Sequence, residues 1–200
     1  MRIGLTGGIG CGVSLVGERF SVRGIPVVKA DAVGRGLLQQ AEIKRALVNA
    51  FGQDILQEEG EIDRNRLGMR IFSDPGNREI LNRIVHPPLI EAIAAETRGQ
   101  EAQHGVAAVD AALIYEWGIA GFFHTIIVVQ APLELRLKRI SARDGLTQEQ
   151  VEQRIAAQMP LEEKCRRADF IIANDGTREE LAQRVDELIP LILRSATPSD

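Results

Sequence analysis

A short apolar run, Arg2-Ile3-Gly4-Leu5-Thr6, leads straight into Gly7-Gly8-Ile9-Gly10-Cys11-Gly12-Val13-Ser14. Closely spaced glycines between a strand and a helix leave few options. They let the backbone turn its N–H groups inward around an anion. The helix that follows adds partial positive charge at its N-terminus. Leu15, Val16 and Phe20 give Ser14–Val22 one apolar helical face, and Gly24 ends it. The spacing fits the phosphate-loop pattern G-x-x-x-x-G-K-[ST], with Ser14 at the position whose hydroxyl reaches Mg²⁺. One member is missing. Val13 stands where the pattern has lysine, and it has neither charge nor donor.

The rest of the chain suits such a loop. Ile25-Pro26-Val27-Val28, Val106–Val109, Thr125–Val129 and Phe170–Ile172 are further short apolar runs. Helical patterns separate them, which predicts a parallel sheet covered on both faces. The runs are apolar throughout rather than alternating, as strands buried on both sides are. The 200 residues are 44% hydrophobic, enough for one domain with inserted pieces. A net charge of -4 excludes a broad nucleic-acid surface. Two cysteines exclude a disulfide framework and a zinc cluster. No run approaches the roughly 18 apolar residues of a membrane span, and the N-terminus lacks a signal-peptide pattern. The expectation is a cytoplasmic protein without nucleic-acid or membrane partners.

The spacing of the strands is uneven. About 75 residues, Asp31 to Gly105, separate the second and third, far more than one crossover helix needs. Their pattern predicts helices over Ala41–Phe51, Arg64–Phe72, Asn77–Val85 and Leu89–Arg98, with His86 at a helix start before Pro87-Pro88. A second helical excursion, Arg139–Arg167, is rich in arginine and glutamate. The predicted organisation is a core of residues 1–38, 106–138 and 168–195. A helical substrate-binding region spans 39–105 and a lid spans 139–167. Ser195–Asp200 reads as a frayed polar tail.

Several motifs in order resemble the dephospho-coenzyme A kinase family. Leu5-Thr6-Gly7-Gly8-Ile9-Gly10 is similar to its opening, and Ala30-Asp31 with Arg35 to the segment after its second strand. Asp63-Arg64 with Leu67, Ile71-Phe72, Asp74-Pro75 and His86-Pro87 resemble its helical region. Asp110-Ala111-Ala112-Leu113-Ile114-Tyr115-Glu116 resembles its D-x-P-L-L-F-E motif. Arg139, Arg143-Asp144, Arg154 and Gln158 resemble its lid, and Ala168-Asp169-Phe170 with Asn174 and Gly176 its closing strand and loop.

The resemblance implies an α/β P-loop three-layer fold with a five-stranded parallel sheet, an inserted helical substrate-binding region and a helical lid. It implies ATP-dependent phosphorylation of the ribose 3′-hydroxyl of dephospho-coenzyme A, the final step of coenzyme A biosynthesis. Gly8, Ile9, Gly10, Cys11, Gly12, Val13, Ser14 and Leu15 would hold the ATP phosphates, and Asn174 and Gly176 the adenine. Ser14 and Asp110 would hold Mg²⁺. Asp31, Arg35, Arg64, His86, Asp110 and Leu113 would meet the substrate. Asp31 is the candidate base, and Arg139 and Arg143 the candidate phosphate-transfer arginines. The protein would be a monomer or weak homo-oligomer.

The residues leave alternatives open. Asp31 also fits a helix N-cap, and the arginines fit a solvated helix face. Cys11 sits at a helix N-terminus, a place that favours thiolate. Lys29 replaces the aspartate usual in the family. It either pairs with Asp31 or replaces the missing loop lysine. With Val13, it leaves open a homologue that binds nucleotide or coenzyme A without efficient transfer.

Overall fold

A computed structural model describes residues 1–72, 74–145 and 147–195. The predicted tail beyond Ser195 lies outside the described residues. The strands are β1 (Arg2–Gly7), β2 (Val27–Lys29), β3 (Ala107–Asp110), β4 (Thr125–Gln130) and β5 (Phe170–Ala173). They form one parallel sheet in the order β2-β3-β1-β4-β5. The register places Leu5 beside Asp110 and Asp110 beside Lys29, so β3 stands between β1 and β2.

The helices are α1 (Val13–Val22), α2 (Ala30–Leu37), α3 (Ala41–Phe51), α4 (Arg64–Phe72), α5 (Pro75–His104), α6 (Leu133–Asp144), α7 (Gln148–Ala156), α8 (Leu161–Arg166) and α9 (Arg178–Ser195). Two compact units emerge, Met1–Lys29 with Glu96–Asp200, and Ala30–Ala95. In the first, Ile3, Leu5, Val16, Phe20, Ile127, Val129 and Val185 are buried in one core joining the sheet to α1 and α9. Arg19 of α1 and Arg23, the C-cap just past it, both grip Asp186 of α9. The bonds from Arg19 and then Arg23 hold the Asp186 carboxyl far below the usual carboxylate range. In the second unit, Leu47, Phe51, Ile55, Ile62 and Leu67 form a separate core.

One expectation fails here. The region around Pro87-Pro88 is not two helices. α5 runs unbroken through both prolines, and His86 lies inside it rather than at a start. Each proline removes one backbone donor. Burial of Leu89 and Ile93 just beyond them carries the helix across the gap.

Candidate active site

β1 ends at Gly7 and the chain coils through the glycines before α1 begins at Val13. Gly10 and Gly12 have φ of 80° and 88°, conformations that side chains rarely adopt. Gly12 is the N-cap of α1 and offers no side chain to its N–H groups, and no acidic residue occupies the first turn. Leu15 N and Val16 N turn back to Gly12 O, and the N–H groups of Val13 and Ser14 are left for an anion. Space is equally tight. A methyl at Gly8 would stand 2.7 Å from a terminal nitrogen of Arg136, and one at Gly12 2.3 Å from Asn174 Nδ2. The loop is therefore a bare backbone cradle, and it fits a phosphate.

Neighbouring segments hold its shape. Asn174, just past β5 and buried, donates from Nδ2 to Cys11 O at 2.7 Å. Arg139 donates to Asn174 O at 3.2 Å and to Asn174 Oδ1 at 3.3 Å. Ile9 is held on both sides: its N–H donates to Gln158 Oε1 at 2.9 Å, and its carbonyl accepts from Arg136 Nε at 3.0 Å. Ser14 is exposed and Leu15 half-buried on the first turn of α1. Gly176 lies exposed before α9.

Asp110 ends β3 beside β1 and β2. Its carboxylate and the Ser14 hydroxyl are both oxygen donors of the kind Mg²⁺ takes, and Mg²⁺ needs only one or two carboxylates when phosphates complete its shell. Among the described residues no cluster of three histidine, cysteine or acidic side chains stands ready to hold a metal by itself. After Asp110 the chain turns through half-buried Leu113 to Glu116. Thr6 Oγ1 donates to Ala112 O at 3.1 Å, tying this turn to β1.

Beneath the turn lies a residue that the sequence did not single out. The Lys164 side chain has no exposure. Its ammonium donates to Ala112 O at 2.6 Å and to Gly7 O at 3.4 Å, and pairs with Glu116 Oε1 at 2.9 Å. The same Glu116 oxygen accepts from Met159 N at 2.8 Å. Lys164 was hidden because Leu161–Arg166, with Glu162, Glu163 and Arg166, reads as a solvated charged helix.

The arginines do not all converge. Arg139 and Arg143 lie one turn apart on α6, but Arg139 engages Asn174 while Arg143 is exposed and pairs with Asp144 at 2.7 Å. Arg154 reaches the same Asp144 at 3.4 Å. Arg136, one turn before Arg139, is the arginine that lies on the loop. α6 starts at Leu133, ahead of the predicted Arg139, so Arg136 fell outside the segment read as arginine-rich. Cys11 also differs from expectation. It is fully buried, and burial pushes its thiol up despite the opposing field of Arg136. Desolvation overrides the helix N-terminus here.

In the second unit, Asp31 and Arg35 are exposed on α2, four residues apart and so on one face. Asp31 lies inside the first turn rather than at its N-cap, since the helix starts at Ala30 directly after β2. Arg64 opens α4 and is exposed, while Asp63 Oδ1 caps that helix by accepting from Asn65 N at 2.9 Å. His86 is half-buried, and burial lowers its basicity.

The family profile described as dephospho-CoA kinase matches residues 1–180. A relative of that name from Anaeromyxobacter dehalogenans is 40% identical over 189 residues, 94% of this chain and 90% of its own. Among solved structures, one from Thermus thermophilus is 32% identical with a TM-score of 0.82, covering 99% of this chain and 98% of its own. A dephospho-CoA kinase from Campylobacter jejuni is 28% identical with a TM-score of 0.75, covering 98% of each chain. Nothing in these likenesses supports the reading of an impaired ligand-binding homologue. The five-stranded parallel sheet, the bare glycine cradle and these matches together establish that the chain belongs to the dephospho-CoA kinase family.

Proposed function

We propose that this chain transfers the γ-phosphoryl group of ATP to the ribose 3′-hydroxyl of dephospho-coenzyme A, completing coenzyme A. The observation that carries the reading is the glycine cradle at Gly7–Gly12, uncapped, left-handed at Gly10 and Gly12, and without room for a side chain at Gly7, where a methyl would stand 2.5 Å from the backbone oxygen of Val129. When bound, ATP supplies the phosphoryl group and Mg²⁺ offsets its charge. Ser14 and Asp110 would hold the metal. The loop N–H groups orient the phosphate chain.

Asp31 accepts the proton of the attacking hydroxyl. It stands two residues after the last residue of β2 in the chain, in the first turn of α2. Arg35, Arg64, His86 and Leu113 face the substrate. Asn174 and Gly176 border the adenine, and Arg139 and Arg143, in the lid of residues 139–167, supply charge to the transferred phosphate. The protein works in the cytoplasm as a monomer or weak homo-oligomer. No helix among the described residues is long and apolar enough to cross a membrane.

The test is incubation with ATP, Mg²⁺ and dephospho-coenzyme A, followed by mass spectrometry and phosphorus NMR of the product. A new monoester on the ribose 3′ position supports the reading. Phosphate added elsewhere, or ATP hydrolysed without transfer, contradicts it.

A further inference from the structure

The loop lacks its lysine, yet a cation lies on it. Arg136 enters from the first turn of α6 with only 6% of its surface exposed. Nε donates to Ile9 O at 3.0 Å. The rest of the guanidinium lies over Gly8: a methyl there would meet the Arg136 terminal nitrogen at 2.7 Å and Cζ at 2.9 Å. The helix itself rests on the loop, because a methyl at Gly10 would stand 3.0 Å from Arg136 O and from Ile140 Cδ1.

Among the described residues no carboxylate pairs with Arg136, and its bond to Ile9 is the one side-chain bond it makes. A buried cation without a counter-charge is costly to the fold. Such a group is expected where an anion arrives from outside. Its field already acts within the loop. On the Cys11 thiol, burial is the dominant influence and Arg136 is the strongest opposing one.

The other nearby cations are differently placed. Lys164 reaches Gly7 O, but Glu116 at 2.9 Å neutralises it. Lys29 ends β2, with β3 between it and β1. Val13 carries no charge.

We propose that Arg136 replaces the absent loop lysine, supplying from α6 the positive charge that binds the nucleotide's phosphate chain. The inference rests on reading the loop as an ATP site. Arginine suits the task, since its fork matches two phosphate oxygens at once and stays charged in a buried place. With Nε held by Ile9, the terminal nitrogens are fixed in direction before the ligand arrives, which limits the entropy lost on binding.

The experiment measures ATP binding by calorimetry in the absence of acceptor, with adenosine as the phosphate-free control. Arg136→Met is expected to weaken ATP binding by about tenfold to a hundredfold and to leave adenosine binding unchanged. Adding Val13→Lys to Arg136→Met is expected to recover most of the loss. Equal ATP affinity in Arg136→Met and the parent overturns the proposal, as does an equal loss for ATP and adenosine. Should Arg136→Met not fold, Arg136→Lys and Arg136→Gln decide: charge substitution predicts that lysine binds ATP more tightly than glutamine, and equal affinities overturn it. Because no acceptor is present, a failure to phosphorylate dephospho-coenzyme A strikes the proposed reaction and not the role of Arg136.

Discussion

The Lys164 ammonium, wholly removed from solvent, lies 2.9 Å from Glu116 Oε1 and 2.6 Å from Ala112 O. One cation therefore ties together α8, the turn after β3 and, through Gly7 O, the start of the phosphate loop. Breaking a buried pair by removing one partner strands the other charge. Glu116→Ala is expected to cost about 3–5 kcal/mol. That corresponds to a fall of roughly 10 °C in Tm for a chain of this size. A thermal melt checks it, and an unchanged Tm means that the carbonyls of Ala112 and Gly7 suffice to hold Lys164.

Two glycines separate conformational need from mere sequence composition. Gly12 has φ of 88° and Asn174 Nδ2 close to its missing Cβ, whereas Gly36 in α2 has nothing within 4 Å. Gly12→Ala is expected to destabilise the protein by about 1–3 kcal/mol and to abolish tight ATP binding. Gly36→Ala is expected to stabilise it by about 0.5–1 kcal/mol, by removing chain entropy from the unfolded state. Urea unfolding of both variants reads the opposite signs.

His86 gives the second unit a pH dependence of definite sign. Burial lowers its pKa from 6.5, so the folded chain prefers the neutral ring. The unfolded chain then binds more protons in the window below 6.5, and stability rises with pH across that window. The contribution is fully present above it. Urea midpoints between about pH 5 and 7 should rise with pH, and His86→Leu should flatten the rise. A parallel rise in the variant assigns the effect to other groups.

The proposed base, Asp31, is exposed in the first turn of α2, and its proposed role is separable from ATP binding. Asp31→Asn is expected to lower kcat by about 10²–10⁴-fold while ATP affinity holds. Equal losses in ATP affinity and turnover indicate a part in binding instead of proton transfer.

The parts legible in the sequence were those with local causes. Apolar runs marked the five strands, and the glycines between β1 and α1 marked the loop, because backbone conformation demands those residues there. The parts that were not legible depend on what meets in space. Lys164 draws partners from Gly7, Ala112 and Glu116, which no local pattern links to it. Arg136 belongs to none of the motifs in the sequence, and only the packing of α6 on Gly8 and Gly10 brings it to the loop. Pro87 and Pro88 carried a strong local signal for a break, and tertiary burial of Leu89 and Ile93 overrode it.

Turnover by the unaltered chain is the decisive measurement, because Val13 removes the one loop side chain on which transfer would be expected to depend. Coenzyme A formed from ATP and dephospho-coenzyme A should accumulate with the parent protein, and Val13→Lys should not be required. No product from the parent, with product appearing only in Val13→Lys, would contradict an active kinase that draws its phosphate-loop charge from Arg136.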